Sequence, residues 1–284
     1  MLLKSMIGSI ALATAVMAGS AAAQQPSGQP SDQSKYPAFA GQWQRVGPLG
    51  VFDSTKPPAR GQQAPLTPEY QAIFEANLAE VAKGGFGDDP VYNCIPEGMP
   101  RATTLVLPME IVVTPNTTYM LMEYLSMLRR IYTDGRDFPT DEDPSWMGYS
   151  IGKWVDPDSS GRFTTLEVET RNLKNPRTFD PSGLPVHKDG ETIVKERFYL
   201  DKDNPNILHD EITVYDHALT RPWTVLKNMK REPKPIWVES ICGEGNVHVN
   251  IGGQHYMLNG DGELMPAMKD QPPPDLSHFK QTKK

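Results

Sequence analysis

The sequence predicts a mainly β protein whose antiparallel strands close into a barrel that carries one amphipathic helix. Three observations lead there. Short runs rich in Val, Ile, Thr, Tyr, Phe and Trp succeed one another from residue 109 to residue 229, each bounded by turn residues. Only one stretch, residues 67–83, repeats its apolar side chains at helical spacing. The strands follow in sequence order, so an open sheet would leave two unpaired edges that closure removes. A β-sandwich is the alternative arrangement of the same strands.

Residues 1–23 read as a cleavable secretory signal. Lys4 supplies the positive start, Met6 to Met17 the apolar stretch, and Ala21-Ala22-Ala23 the small residues at a cleavage site. The apolar stretch is too short to span a bilayer, no cysteine follows the site to carry a lipid, and no later segment is apolar enough for a membrane helix. The expectation is an exported, periplasmic or secreted protein beginning near Gln24. Residues 24–35, rich in Gln, Ser and Pro, read as a flexible leader.

A single domain is expected over residues 36–270, with a Pro-rich tail at 271–284. Gly41-Gln42-Trp43 opens a short strand. After a Pro-rich stretch, Thr67-Pro68 gives an N-cap followed by proline in the first turn. Tyr70, Ile73, Phe74, Leu78 and Val81 then form the helix's apolar face, and Gly84-Gly85 ends it. Strands are expected at 109–114, 118–125, 127–132, 149–155, 162–170, 192–200, 207–215 and 223–229. The turns between them include Pro115-Asn116, Asp134-Gly135, Asp156 to Gly161 and Asp201 to Asn206. A barrel of about eight strands holds a small ligand in its lumen, which is where function is expected.

Composition excludes several classes. The net charge is −7, and no run of Lys or Arg remains outside the extreme C-terminus, so nucleic acid and anionic membranes are poor partners. A Gly-x-Ser-x-Gly elbow, a phosphate loop and a dinucleotide fingerprint are all missing, so no cofactor is expected. Cys94 and Cys242, the only cysteines, are expected to form one disulfide in an oxidising compartment.

Gly98-Met99-Pro100-Arg101, Arg129 to Arg136, Trp146 to Trp154 and Arg221-Pro222-Trp223-Thr224 together resemble a large family of exported, mostly uncharacterised bacterial proteins. Gly41-Gln42-Trp43 is similar to the Gly-x-Trp of lipocalin-like barrels. The resemblance implies a secreted, β-rich, lipocalin-like domain and brings no catalytic residues, so chemistry is argued from the residues themselves.

In the strand 207–215, alternation puts His209, Glu211, Thr213 and Tyr215 on one face and Leu208, Ile212 and Val214 beside Asp210 on the other. If the apolar face packs outward, the polar face lines the lumen. Glu211 or Glu169 would then be the base and His209 the partner acid. Arg130 shares its face with Tyr132 and would hold a ligand oxygen, while Tyr215, Arg197 and Trp223 would complete the substrate contacts. The alternative is a solvated outer face on which Glu167, Glu169, Lys195 and Arg197 form cross-strand ion pairs. Two metal arrangements fit only in part. Asp156, Asp158, Ser160, Gly161 and Glu167 have calcium-loop spacing but strand flanks, and His209 and Glu211 with His187 or His217 lack a tight zinc spacing. No metal is assigned. The expected activity is cofactor-independent proton transfer, as a lyase or isomerase, on a small and largely apolar, aromatic molecule. A non-catalytic carrier, or an envelope interaction module presenting Trp146, Trp154 and Trp223, are the alternatives, and oligomeric partners are left open.

Overall fold

In a computed structural model of the chain, residues 33–245 and 247–277 are described. The signal segment 1–23 and all but the last three residues of the leader lie outside them. Nine strands close into a barrel in sequence order: β1 (Gly41–Arg45), β2 (Met109–Val113), β3 (Thr117–Met122), β4 (Met127–Tyr132), β5 (Tyr149–Val155), β6 (Thr165–Arg171), β7 (Ile193–Leu200), β8 (Ile207–Tyr215) and β9 (Trp223–Arg231). β9 returns to pair with β1, with Trp43 opposite Arg231. The closed, mainly β architecture agrees with the sequence.

The barrel is not antiparallel throughout. β4 and β5 run parallel, with Ile131 opposite Ser150 and Tyr132 opposite Ile151. Parity requires this: strand directions cannot alternate all the way around a ring with an odd number of members. The 16-residue connection between Tyr132 and Tyr149 is what carries the chain back to the starting end, since a parallel neighbour cannot be reached by a tight hairpin. The β2–β3, β5–β6 and β7–β8 hairpins turn where the sequence predicts. Between β7 and β8, Asp201 Oδ1 accepts the amides of Asp203 (3.0 Å) and Asn204 (2.8 Å).

The helix α1 (Pro68–Val81) starts at Thr67, whose hydroxyl accepts the Tyr70 amide, and buries Tyr70, Phe74 and Asn77. It packs on the connection between β6 and β7: the Tyr70 ring lies 5.0 Å from that of His187, and Asn77 donates to the Gly183 carbonyl at 2.8 Å. No helix among the described residues is long and apolar enough to cross a membrane.

The barrel is filled by side chains. Its core includes Trp43, Met109, Ile111, Met120, Met122, Ile131, Leu166, Val194, Phe198, Leu208, Ile212 and Val225. Phe52, Phe179 and Trp223 pack together at the end where β9 begins, with ring centres 4.7–5.2 Å apart. At the opposite end, where β5 finishes, Trp154 meets Tyr36, Phe39 and Phe163.

Residues beyond β9 do not join the barrel, although the sequence places them in the same domain. After the short turn α2 (Cys242–Gly245), β10 (His248–Ile251), β11 (Gln254–Leu258) and β12 (Leu264–Pro266) form a separate three-stranded antiparallel sheet. Cys94 and Cys242 form the expected disulfide, with Cα atoms 5.5 Å apart, and Phe86 packs edge-on against His248 and His255. Closing so long a loop stabilises by up to about 5 kcal/mol in the chain-entropy model.

Candidate functional site

Alternation gives each strand one inner and one outer face, and burial shows which is which. On β8, Leu208, Asp210, Ile212 and Val214 are buried, while His209, Glu211 and Thr213 are half-buried and Tyr215 is exposed. The face expected to line the lumen is therefore the outer one. The reason is that α1 packs on a loop, so the only place to bury the apolar face of β8 is the barrel interior.

The same reversal applies on β4. One arginine enters the lumen, and it is Arg129; Arg130 is exposed and Tyr132 half-buried. Arg130 and Tyr132 do share a face, bordering an open surface groove of about 500 Å³ with Asp141, Asp143 and Tyr149. The Tyr132 ring carries the guanidinium of Arg136, 4.0 Å from its centre, and Arg136 is paired with Asp134.

Glu169, Arg197, Glu211 and Tyr215 do converge, but on the outside, around a shallow depression of about 400 Å³ across β5–β8. Register sets Glu169 opposite Lys195 and places Arg197 between Glu167 and Glu211. The side chains form cross-strand ion pairs: Lys195–Glu169 at 3.3 Å and Arg197–Glu211 at 3.4 Å. His209 is held apart from them by Asn228 (2.7 Å) and Asp201 (3.1 Å). Trp223 is buried in the aromatic cluster, and Trp154 is buried too, so neither contributes to a surface patch. Asp156 and Asp158 accept the amides of Ser160 and Gly161 within their own turn, and Glu167 lies on β6 facing Arg197.

The lumen holds a different set of ionisable side chains. Arg129 reaches across it to Glu196. Its Nη1 donates to Oε1 at 2.9 Å and its Nη2 to Oε2, with further bonds to Thr170 (2.8 Å) and Ser150 (3.2 Å). β4 and β7 are not neighbours in the barrel, so this contact passes through the interior. Asp210 and Lys227 sit opposite one another on β8 and β9. Lys227 Nζ donates to the Phe52 carbonyl at 2.8 Å and lies 4.0 Å from that ring's centre. Asp210 is 2% exposed, and its Oδ1 has no hydrogen-bond partner.

Burial raises the Asp210 carboxyl well above the ordinary carboxylate range; the charge of Glu196 adds to this, and Lys227 and Arg129 oppose it. Burial also lowers the Lys227 ammonium well below its usual value, helped by Arg45. The interior thus favours the neutral form of both an acid and an amine, one opposite the other. Around Asp210 and Arg129 the wall is made of Met109, Met120, Met122 and Met229, enclosing free space of about 10 Å³, the scale of one water molecule.

The signal for these groups was present in the sequence as a charged residue interrupting an apolar alternation. Asp210 stands between Leu208 and Ile212, Glu196 between Val194 and Phe198, Lys227 between Val225 and Met229, and Arg129 between Met127 and Ile131. Compared with protein-family models and with curated proteins, the chain matches none, so the reading of function rests on this geometry.

Proposed function

We propose that the protein is an exported barrel that admits a small, largely apolar molecule to its lumen and acts on it by proton transfer, as a cofactor-independent lyase or isomerase. The observation that carries the reading is the free oxygen of Asp210, a deeply buried carboxyl with an unused acceptor facing a methionine-walled space. Such a group has a use when a ligand supplies the missing partner. Asp210 would give or take the proton, with Lys227 opposite it, and the Arg129–Glu196 pair would fix the electrostatic frame. The free space is smaller than any substrate, so entry displaces the thioether side chains, whose unbranched, flexible chains repack at low cost. The export expectation, carried by the sequence of residues 1–23, belongs to the same reading.

A thermal-shift screen against aromatic and terpenoid compounds tests it. A ligand at about 100 times its Kd stabilises the fold by about 2.7 kcal/mol, and that shift should vanish in Asp210→Asn while persisting in Glu211→Gln. The converse result would move the site to the outer face of β8. Among ligands that bind, conversion to product should fall on the order of 10²–10⁴-fold in Asp210→Asn. A ligand recovered unchanged from the wild-type protein would make the barrel a carrier.

A further inference from the structure

A second site lies outside the lumen, at the end of the barrel where β9 begins. The connection from β6 to β7 and the connection from β8 to β9 bring His187, Asp189 and His217 together, and one donor atom from each lies within 4.8 Å of the others. From this convergence we infer that His187, Asp189 and His217 form a binding site for a borderline divalent cation of the zinc class. The site is distinct from an arrangement of His209 and Glu211 with His187 or His217, since His209, near the start of β8, and Glu211, at its middle, have other partners.

The Asp189 amide donates to His187 Nδ1 at 3.2 Å. Asp189 Oδ2 lies 2.9 Å from the same nitrogen, and His217 Nδ1 lies 2.5 Å from the same oxygen. Both imidazole nitrogens thus converge on one carboxylate oxygen, and a cation at the centre would take a lone pair from each of the three atoms. Zn–N and Zn–O bonds of about 2.0–2.1 Å place tetrahedral ligands about 3.4 Å apart, so the two contacts to Asp189 Oδ2, at 2.9 and 2.5 Å, need to open by less than about an ångström, with the two imidazole nitrogens, within 4.8 Å of each other, adjusting to the same separation. On binding, the Nδ1 lone pair of each imidazole and one carboxylate oxygen form the three bonds, the Asp189 amide gives up its bond to His187 Nδ1, and the His217 proton passes to solvent.

The surroundings hold this set in place. Asp189 Oδ1 accepts the Glu191 amide at 2.9 Å, which turns Oδ2 toward the histidines. Asp216 ties the two connections together: its Oδ1 accepts the amides of His187 and Ala218, both at 2.9 Å, and its Oδ2 accepts the Thr192 hydroxyl at 2.6 Å. Arg177, buried, donates to that hydroxyl at 2.8 Å. The Tyr70 ring supports His187 from α1. Two imidazoles and a carboxylate are the donor types that zinc and its neighbours prefer. Glu191 Oε2, 3.9 Å from His217 Nδ1, is within reach as a fourth donor.

Isothermal titration of the untagged chain with Zn²⁺ alone, at pH 7.5, should show about one ion per chain. His217 is largely exposed, so His217→Ala should fold normally and weaken binding by more than about 100-fold, beyond the 10–100-fold typical of a supporting residue. Asp189→Asn should weaken it comparably, while His209→Ala should leave it unchanged. With Co²⁺ as probe, the visible absorption of a bound, low-symmetry ion should appear in the wild type and disappear in His217→Ala. Failure of the wild-type chain to bind Zn²⁺, or binding that survives both His217→Ala and Asp189→Asn, would overturn the assignment. Neither result bears on Asp210, whose test reads a ligand in the lumen.

Discussion

β7 and β8 carry two adjacent pairs of charged residues, Glu196-Arg197 and Asp210-Glu211, and in each pair one member points into the barrel and the other out of it. The side chains of the inner ion pair, Arg129 and Glu196, are 1% and 0% exposed, whereas those of the outer pair, Arg197 and Glu211, are 51% and 39% exposed. The chemistry of the two pairs is the same and the solvent is not. Outside, water screens the attraction and reclaims either partner if the other is lost, so the pair contributes little. Inside, each charge has given up its hydration and depends on its partner, so loss of one strands the other. A charged residue in this barrel therefore cannot be weighed until its face is known.

The largest expected effect comes from breaking the inner pair. Glu196→Gln leaves the Arg129 guanidinium without a counter-charge and should cost roughly 3–5 kcal/mol of unfolding free energy, read by urea denaturation. Replacing both at once, Arg129→Met with Glu196→Leu, should cost far less than either alone. A Glu196→Gln variant as stable as the wild type would erase the contrast between the faces.

Next comes a pH effect from a second buried cluster. Arg101 lies between two carboxylates, Asp89 at 2.5 Å and Glu97 at 3.0 Å, all of them buried. One cation cannot fully compensate two anions, so burial outweighs the pull of Arg101 and pushes the Glu97 carboxyl up to about 7. A group whose folded pKa is raised binds its proton more tightly in the folded state. Its contribution to stability is complete below the unfolded value of about 4.5 and is lost as pH rises through about 7. The loss should be on the order of 3 kcal/mol, measured as a falling denaturation midpoint. In Glu97→Gln that slope should flatten; an unchanged slope would move its origin to another group.

The smallest effect belongs to the outer face. Glu211→Gln should change stability by no more than about 0.5 kcal/mol, and added salt should narrow even that difference. A loss as large as that of Glu196→Gln would mean that the outer face is covered by something in solution.

Most of the barrel was legible in the sequence because β propensity and turn chemistry are local. Thr67-Pro68 marks the start of the helix to the residue, and β4, β5 and β8 have the boundaries their alternation predicts. The inner face was not legible, because alternation is symmetric: it groups His209 with Glu211 and Leu208 with Ile212 without saying which group is enclosed. What settles it is whether a second layer covers the barrel, a property of the placement of α1 rather than of β8. The three strands after Cys242 escaped notice for a related reason. They are short, four, five and three residues, and their pairing depends on a sheet formed only among themselves. The metal-ligand cluster was hidden by distance along the chain, since His187 and His217 belong to connections separated by two strands.

The bond between Cys94 and Cys242 also gives the molecule a mechanical character. It encloses β2 through β9 in a covalent ring that spans a sequence separation of 148 and leaves only β1 among the barrel strands outside. Tension applied at the two chain ends passes through the bond and not through the enclosed strands. Pulled in an optical trap, the protein should surrender β1, α1 and the β10–β12 sheet, all of which lie outside the ring, then stop lengthening. Added reductant should release roughly 500 Å of hidden contour in a further step. Eight of the nine staves are thus hooped against force, and the ninth is the one by which the barrel comes open.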